Sequence, residues 1–281
     1  MCSWRGSGLY APCKGREGTI CSIAFVKDVL YPYFTKALPQ YLTTHWTDPT
    51  IQTLLPKLPS NVAHTPEALQ AHFLDLVARD IKDPVLKELQ GHIWTKGYTT
   101  TALTAPLYPD VIPFFHALRA RVRPRTTTLA IYSSGSVQAQ KLLFAHIDST
   151  SFPPSHSESP SQPQDNKNNN KSKDITPYFH PHFYDTQNAG PKTDPASYTR
   201  ILHSLGTTTS NTTTTTTTAA AAAAADKVTF FTDNPAEADA AQAAGLYVIV
   251  LVRPGNAVLG EGVRGRFACV EGFEGVLEGV V

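Results

Sequence analysis

Three short apolar segments that alternate with helix-like segments constrain the fold of this chain more than any other feature. The segments 129–132, 228–232 and 246–252 consist almost wholly of apolar and β-branched residues, as strands covered on both faces do. Helical spacing of apolar residues recurs around them, at 111–121, 136–146, 194–205 and 235–244. This alternation predicts an α/β fold with a doubly wound parallel sheet, to which the tail 261–281 adds a strand and a short helix.

Residues 25–108 show a different pattern, which predicts a helical cap. Amphipathic spacing favours helices at 26–41, 66–81 and 85–94, and no segment among them has the pattern of a strand. We therefore expect a first core segment at 1–24, an inserted all-helical cap at 25–108 and the main α/β core at 109–281.

Two low-complexity inserts interrupt the predicted core. The first, 149–174, consists mainly of Ser, Pro, Gln, Asn and Lys, and the second, 207–225, is a Thr tract followed by an Ala tract. Neither insert holds enough large apolar side chains to form a core, and insertions in surface loops cost little free energy. We expect both to be loop expansions without a function of their own.

The charge balance and the lack of long apolar runs exclude several classes of protein. Lys and Arg number 24 and Asp and Glu 23, so the formal net charge is +1, which disfavours a nucleic-acid partner. No uncharged apolar run is long enough to cross a membrane, and the N-terminal residues contain no apolar signal segment. The four cysteines lack the spacing of a metal site or a disulfide framework. These observations favour a soluble protein in a reducing, intracellular compartment.

Polar residues follow two of the predicted strands, and a lysine precedes one of the helices. Ser133 and Ser134 stand between strand 129–132 and the next helix, where hydroxyls and backbone N–H groups suit a phosphate. Lys192 could neutralise a phosphoryl oxygen, and Asp233, directly after strand 228–232, could hold Mg²⁺.

Each of these residues also has a purely structural explanation. The two serines could form a turn, Lys192 could be solvated and Asp233 could cap the helix that follows it. The combination of hydroxyl, lysine and acid near the carboxyl edge of one sheet is more specific, because ligands bind at that edge in open α/β sheets. It predicts phosphoryl transfer with Mg²⁺, in which catalysis is mainly positioning and neutralisation of charge.

Several segments of the chain resemble a known family. Residues 17–19 (Glu-Gly-Thr) and 23–33 are similar to the N-terminal signature of the enolase-phosphatases (acireductone synthases), haloacid-dehalogenase-like hydrolases of the methionine salvage pathway. Segments 89–94, 132–144 and 252–256 resemble further motifs, in the order that the family has them. The resemblance covers nearly the whole chain outside the two inserts.

The resemblance implies a fold, a reaction and roles for particular residues. The fold is a haloacid-dehalogenase-like Rossmann-type core with an inserted helical cap. The reaction is the Mg²⁺-dependent enolisation and dephosphorylation of 2,3-diketo-5-methylthiopentyl-1-phosphate, a small phosphorylated diketone. Ser133, Ser134 and Lys192 match residues that bind the phosphate, and Lys192 also acts in catalysis by steadying the phosphoryl group. Glu17 and Asp233 match metal-associated residues, and Glu17 is also implied to be catalytic, near the leaving group.

The family further implies a monomer located in the cytoplasm and also in the nucleus.

Three other residues are not included in the predicted site. His92 and Trp94 could face an active site or pack on a helix, and Arg253 could reach the site or hold the loop after strand 246–252 by hydrogen bonds.

The chain departs from the family at the position of the nucleophile. The family's first motif is Asp-x-Glu-Gly-Thr, whose aspartate attacks phosphorus and binds the metal, and Gly15 stands in its place. The preceding segment 9–14 makes a poor buried strand, because Pro12 is confined to sheet edges and Lys14 would face a core. Glycine offers no side chain for the attack.

Two explanations of Gly15 stay open at this point. A mispredicted start or exon boundary could have replaced the strand and the nucleophile together, and we favour this explanation because both are missing up to a sharp boundary at Glu17. Otherwise the chain is a catalytically inactive relative that binds phosphate esters without hydrolysing them. A scaffold protein that uses the low-complexity inserts is a third interpretation, and it explains the core motifs least well.

Overall fold

The computed structural model describes residues 9–12, 18–81, 83–120, 128–153, 171–206 and 228–278. The chain divides into two compact units, one formed by Ala24–Thr104 and the other by the described residues on either side of that range. Gly15, Glu17 and the whole of the predicted insert 207–225 lie outside the described residues.

The α/β unit is built on parallel strands. In chain order the strands are β1 (Leu9–Pro12), β2 (Ile131–Tyr132), β3 (Ile147–Asp148), β4 (Ser172–Lys173), β5 (Phe183–Tyr184), β6 (Val228–Thr232), β7 (Tyr247–Leu251) and β8 (Ala268–Val270). Parallel hydrogen bonds join β1, β6, β7 and β8 in that order, and β2 pairs in parallel with β5. Strands β1 and β2 lie beside each other. Within the four-stranded sheet, all strands therefore end at one edge.

Ten α-helices of the described residues fall into the two units. The first unit contains α1 (Tyr31–His45), α2 (Pro49–Gln52), α3 (Pro66–Ala78) and α4 (Pro84–Thr99). The α/β unit contains α5 (Val111–Ala120), α6 (Val137–Phe144), α7 (Pro195–Ser204), α8 (Pro235–Ala243), α9 (Glu261–Arg264) and α10 (Glu274–Glu278). The predicted strands and helices of the core are thus confirmed, including the strand and short helix near the C-terminus.

Strand β6 occupies the centre of the α/β unit, and all five of its residues are buried. Phe230 belongs to a cluster with Tyr132 and Tyr198. Phe231 points to the other face, where its ring meets those of Phe114 at 5.6 Å and Phe273 at 5.3 Å between centroids. A strand covered on both faces needs apolar residues at every position, which explains the uninterrupted apolar pattern.

The helical unit is held by one apolar stripe and by side-chain caps. Helix α1 buries Phe34, Leu38 and Leu42, which are spaced four residues apart and so lie on one face. Asp83 caps α4 by accepting a hydrogen bond from the Leu86 N–H at 2.8 Å. Trp94 is buried within this unit, and its Nε1 donates to a backbone carbonyl at 3.0 Å. The packing explanation therefore accounts for Trp94.

Strand β1 corrects the expectation that no good strand precedes Gly15. Leu9–Pro12 runs parallel to β6, and Pro12 is the register partner of Phe231. Pro12 is the last residue of β1, which is an outer strand of the four-stranded sheet, and outer strands tolerate proline. The strand and the aspartate are therefore not missing together, and our reason for favouring a replaced N-terminus fails for 9–12.

The ends of the first insert also differ from the prediction. Residues 149–151 form a 3₁₀ turn, and Ser172–Lys173 pairs in antiparallel with Ile147–Asp148. The Ser151 hydroxyl accepts a hydrogen bond from the Leu107 N–H at 3.1 Å. Predicting the whole of 149–174 as a loop was thus wrong at both ends, because backbone pairing and one hydroxyl suffice to order them. Residues 154–170 lie outside the described residues.

Among the described residues, no helix combines the length and the apolar character needed to span a bilayer.

Candidate active site

Ser133 directly follows β2, and its side chain is fully buried. Its N–H donates to the Tyr184 carbonyl at 3.0 Å, and its hydroxyl accepts from the Gly135 N–H at 3.2 Å. Ser134 is exposed. The two predicted phosphate-binding serines therefore differ in burial, although they are neighbours in the chain.

Helix α6 is capped by other residues than these two serines. The Ser136 hydroxyl accepts from the Ala139 N–H at 3.2 Å, and the buried Asp185 carboxylate accepts from the Val137 N–H at 2.9 Å. Sequence reasoning missed Asp185, which directly follows β5. Ser133 and Ser134 are thus not the caps of α6, whereas the bond from the Gly135 N–H to the Ser133 hydroxyl agrees with the turn explanation for Ser133.

Lys192 is buried and lies beside two aromatic rings of the strands. Its Nζ is 5.4 Å from the ring centroid of Tyr132 in β2 and 5.9 Å from that of Phe230 in β6. It donates to Oε2 of Glu237 at 2.8 Å, and both side chains are more than nine-tenths buried. The explanation of Lys192 as a solvated loop lysine is therefore wrong, because a carboxylate inside the protein holds its ammonium group.

Glu237 links Lys192 to the end of β6. The same oxygen, Oε2, accepts a hydrogen bond from the Thr232 hydroxyl at 2.9 Å, and the Thr232 oxygen accepts from the Asn234 N–H at 3.1 Å. The sequence places Glu237 in the first turn of the helix after Asp233 but predicts no partner for it. Its position four residues after Asp233, on the first turn of α8, is the signal that could have indicated one.

Asp233 follows β6 but does not cap α8. The side chain of Asn234 is the cap, accepting from the Ala236 N–H at 3.0 Å, so the capping explanation of Asp233 is wrong. Asp233 instead packs against Gly18. The φ of Gly18 is 96°, a backbone conformation that residues with a side chain rarely adopt. A Cβ added to Gly18 would fall on Oδ2 of Asp233 and lie 3.0 Å from Oδ1 of Asn256.

Tyr108 completes the surroundings of Asp233. Burial raises the pKa of the Tyr108 phenol, and Cys21 and the Asp233 carboxylate raise it further. A hydrogen bond with Ser22 and the Arg253 cation act in the opposite direction on this pKa. Tyr108, Arg253 and Asp233 therefore share one electrostatic environment beside Gly18.

The oxygen donors at this edge fit Mg²⁺ in part. Mg²⁺ prefers oxygen ligands and is usually held by one or two carboxylates together with water and substrate phosphate. The Asp233 carboxylate, which lies beside the backbone of Gly18, is such a donor. Within the described residues no three His, Cys, Asp or Glu side chains cluster as a metal site, and Glu17 lies outside that part of the chain.

Comparison with known proteins assigns the chain to a family. It is 42% identical over 267 residues to enolase-phosphatase E1 of Chaetomium globosum, a match that covers 92% of this chain and 93% of that protein. It is 40% identical over 258 residues to enolase-phosphatase E1 of Pyricularia oryzae, covering 92% and 94%. The chain belongs to the enolase-phosphatase E1 family. The predicted family and its class, a phosphatase among the hydrolases, are confirmed, although no family model matches the chain.

Solved structures confirm the predicted fold of this enolase-phosphatase E1 relative. The crystal structure of the UTR4 protein (Unknown transcript 4 protein) of Saccharomyces cerevisiae matches with a TM-score of 0.70 and 34% identity, covering 95% of this chain and 99% of that one. The HAD-hydrolase YfnB of Bacillus subtilis matches with a TM-score of 0.50 at 11% identity, which shows the fold alone. The haloacid-dehalogenase-like α/β core is therefore established.

Proposed function

We propose that this site is that of a Mg²⁺-dependent enolase-phosphatase of methionine salvage. Its substrate is 2,3-diketo-5-methylthiopentyl-1-phosphate, and its products are the acireductone 1,2-dihydroxy-3-keto-5-methylthiopentene and phosphate. The observation that carries the proposal is the buried Lys192, which Glu237 holds beside the Tyr132 ring of β2 and the Phe230 ring of β6, the two strands that Ser133 and Asp233 follow. The names of the relatives support the same reaction.

In this proposal, the serines and Lys192 bind different features of the phosphate ester. Ser133 and Ser134 contact the phosphate oxygens from the end of β2, and Lys192 neutralises their charge. Because Glu237 and Thr232 fix the ammonium group in advance, little reorganisation is needed when the substrate arrives. Lys192 is thus a binding and catalytic residue, and Glu237 positions it.

Asp233 and Glu17 would hold Mg²⁺, which supplies positive charge to the phosphoryl group. The contact between Asp233 and Gly18 keeps that carboxylate close to the segment that follows Glu17 in the chain.

The nucleophile of the family belongs at position 15. Strand β1 runs parallel to β6 with Pro12 beside Phe231, so both strands end at the same edge of the sheet. Position 15 follows Pro12 by three residues, and Asp233 follows Phe231 by two. Both positions thus follow a parallel strand within three residues in the chain, and Gly15 leaves the chain as written without the attacking carboxylate that the family's motif implies.

Gly15 favours a second candidate function, that of a catalytically inactive relative that binds the phosphate ester. The two candidates share the phosphate-binding residues and differ at position 15, which in the family supplies both the attacking carboxylate and a metal ligand. We further propose that the predicted segment 25–108, most of which lies in the unit Ala24–Thr104, is the family's cap, and that the protein is a monomer of the cytoplasm and nucleus.

Calorimetric titration with the diketo phosphate ester tests the shared site. We expect binding that tightens with Mg²⁺, and a Ser133→Ala variant that binds about tenfold more weakly, the loss of roughly one hydrogen bond to a charged group. Ser204→Ala is the matched control, because the Ser204 hydroxyl bonds to Tyr184 on the surface of the same unit. Equal binding by the Ser133→Ala and Ser204→Ala variants would remove Ser133 from the site.

A further inference from the structure

We infer that the 253–256 turn, Arg253-Pro254-Gly255-Asn256, positions the metal side of the site by holding the 18–20 turn against Asp233. The 18–20 turn consists of Gly18, Thr19 and Ile20. The inference rests on the proposed function and deepens it, because it assigns positioning roles to Arg253 and Asn256, which the sequence analysis left off the site.

Asn256 holds the first carbonyl of the 18–20 turn. Its Nδ2 donates to the Gly18 carbonyl at 2.8 Å. Its own N–H donates to the Arg253 carbonyl at 3.1 Å, and Gly255 has a φ of 83°, which lets the chain reverse there. The turn geometry therefore directs the side-chain amide of Asn256 at the carbonyl of Gly18.

Arg253 holds the second carbonyl and ties it to two further segments. Nε donates to the Thr19 carbonyl at 3.1 Å, and Nη1 donates to the Glu271 carbonyl at 3.2 Å. Nη2 forms an ion pair with the buried Asp110 carboxylate at 2.8 Å. A planar guanidinium can make these three contacts at fixed angles, whereas a lysine ammonium cannot.

The third carbonyl of the turn is also held. The Tyr108 N–H donates to the Ile20 carbonyl at 3.0 Å, and the Arg253 guanidinium lies 4.4 Å from the centroid of the Tyr108 ring. Three consecutive carbonyls are thus bonded by groups far away in the sequence. The orientation of each peptide plane is fixed, and with it the position of Gly18 against Asp233.

Fold stability alone does not account for this arrangement. A buried Arg–Asp pair adds little to the free energy of unfolding compared with apolar side chains of similar volume, because both charges lose their hydration. The pair does place the Nε donor at the Thr19 carbonyl. Removing the hydrogen-bonding groups that orient the surroundings of metal ligands typically weakens metal binding strongly.

Calorimetric titration of the full chain with Mg²⁺ tests the inference without requiring turnover. We expect Asn256→Ala to weaken Mg²⁺ binding by about 10–100-fold, as loss of an outer-shell partner does. Arg253→Lys, which keeps the charge opposite Asp110 but loses the donor to Thr19, should act in the same direction. Arg266→Ala is the control, because Arg266 pairs with Asp239 at the surface of the same unit.

Hydrogen exchange of residues 18–20 provides a second readout. Asn256→Ala should exchange faster there at an unchanged global unfolding midpoint, while Arg266→Ala should match the parent chain. If the parent chain binds Mg²⁺ and Asn256→Ala binds it equally well, the inference is overturned and the proposed function stands. If the parent chain binds no Mg²⁺, the proposed metal site fails, and unchanged exchange in Asn256→Ala would overturn the positioning role as well.

Discussion

At the scale of single residues, the proposed function depends most on the buried ion pair between Lys192 and Glu237. A lysine in water is a mobile point charge, whereas Lys192 is fixed at 2.8 Å from a buried carboxylate. Its packing between Tyr132 and Phe230 places that charge where two strands end. The ion pair is a structural contact, the functional role of Lys192 is our proposal, and variants of the two residues should separate the two roles.

Lys192→Ala should destabilise the protein as well as abolish binding of the phosphate ester. The sequence alone suggests that this variant would fold normally, but burial corrects that expectation. Removing one partner leaves the Glu237 charge uncompensated, at a cost of about 3–5 kcal/mol in the free energy of unfolding. Chemical denaturation of the variant measures this loss.

The double variant Lys192→Met with Glu237→Gln should recover most of that stability, because no unpaired charge remains in the core. It should not recover binding of the phosphate ester. Binding by the double variant at the level of the parent chain would show that Lys192 does not hold the phosphate.

His182 makes the stability depend on pH in a predictable direction. Burial lowers the pKa of His182, and the nearby His180 lowers it further. Between this lowered pKa and the ordinary value of about 6.5, the unfolded chain binds more protons, so stability falls as the pH drops through that range. The unfolding midpoint of the parent chain should decrease more from about pH 7.5 to about pH 5.5 than that of His182→Gln. Parallel curves for the two proteins would contradict the prediction.

At the scale of elements, periodicity predicted the regular core well and failed where single contacts decide. Strands covered on both faces and helices with an apolar face are visible in the sequence, because their patterns recur every few residues. The short pair β3 and β4 has no such pattern and depends on backbone hydrogen bonds between residues separated by the first insert. The bond from Arg253 to the Thr19 carbonyl joins positions 234 residues apart, which no local pattern indicates.

Two deletions in the first insert should have different effects. Removing 149–173 deletes β4 and the Ser151 hydroxyl that bonds to the Leu107 N–H, so we expect a lower unfolding midpoint. Removing only 155–169 leaves every described contact in place and should not change the midpoint. Thermal unfolding of both variants and of the parent chain measures the midpoints. Equal midpoints for the two deletions would mean that β4 contributes nothing to stability.

At the scale of the whole molecule, the chain has the fold and family of a phosphatase, but glycine stands where the family's first motif implies the nucleophile. The candidate residues Ser133, Lys192 and Asp233 were predictable, because they stand where strands end or a helix begins. Glu237 was not, since its role depends on a contact with Lys192 across 45 residues of chain. The proposed phosphate-binding residues thus have one partner, Glu237, that the sequence did not indicate.

The most direct test of this account measures phosphate release from the diketo phosphate ester by the 281-residue chain and by its Gly15→Asp variant, each with and without Mg²⁺. We predict Mg²⁺-dependent release by Gly15→Asp, and release at least about a thousandfold slower by the parent chain, since loss of a nucleophile removes most of the rate. Equal release by both would place the attacking group elsewhere than position 15. A folded Gly15→Asp variant that binds the ester but releases no phosphate would contradict the proposed enolase-phosphatase site.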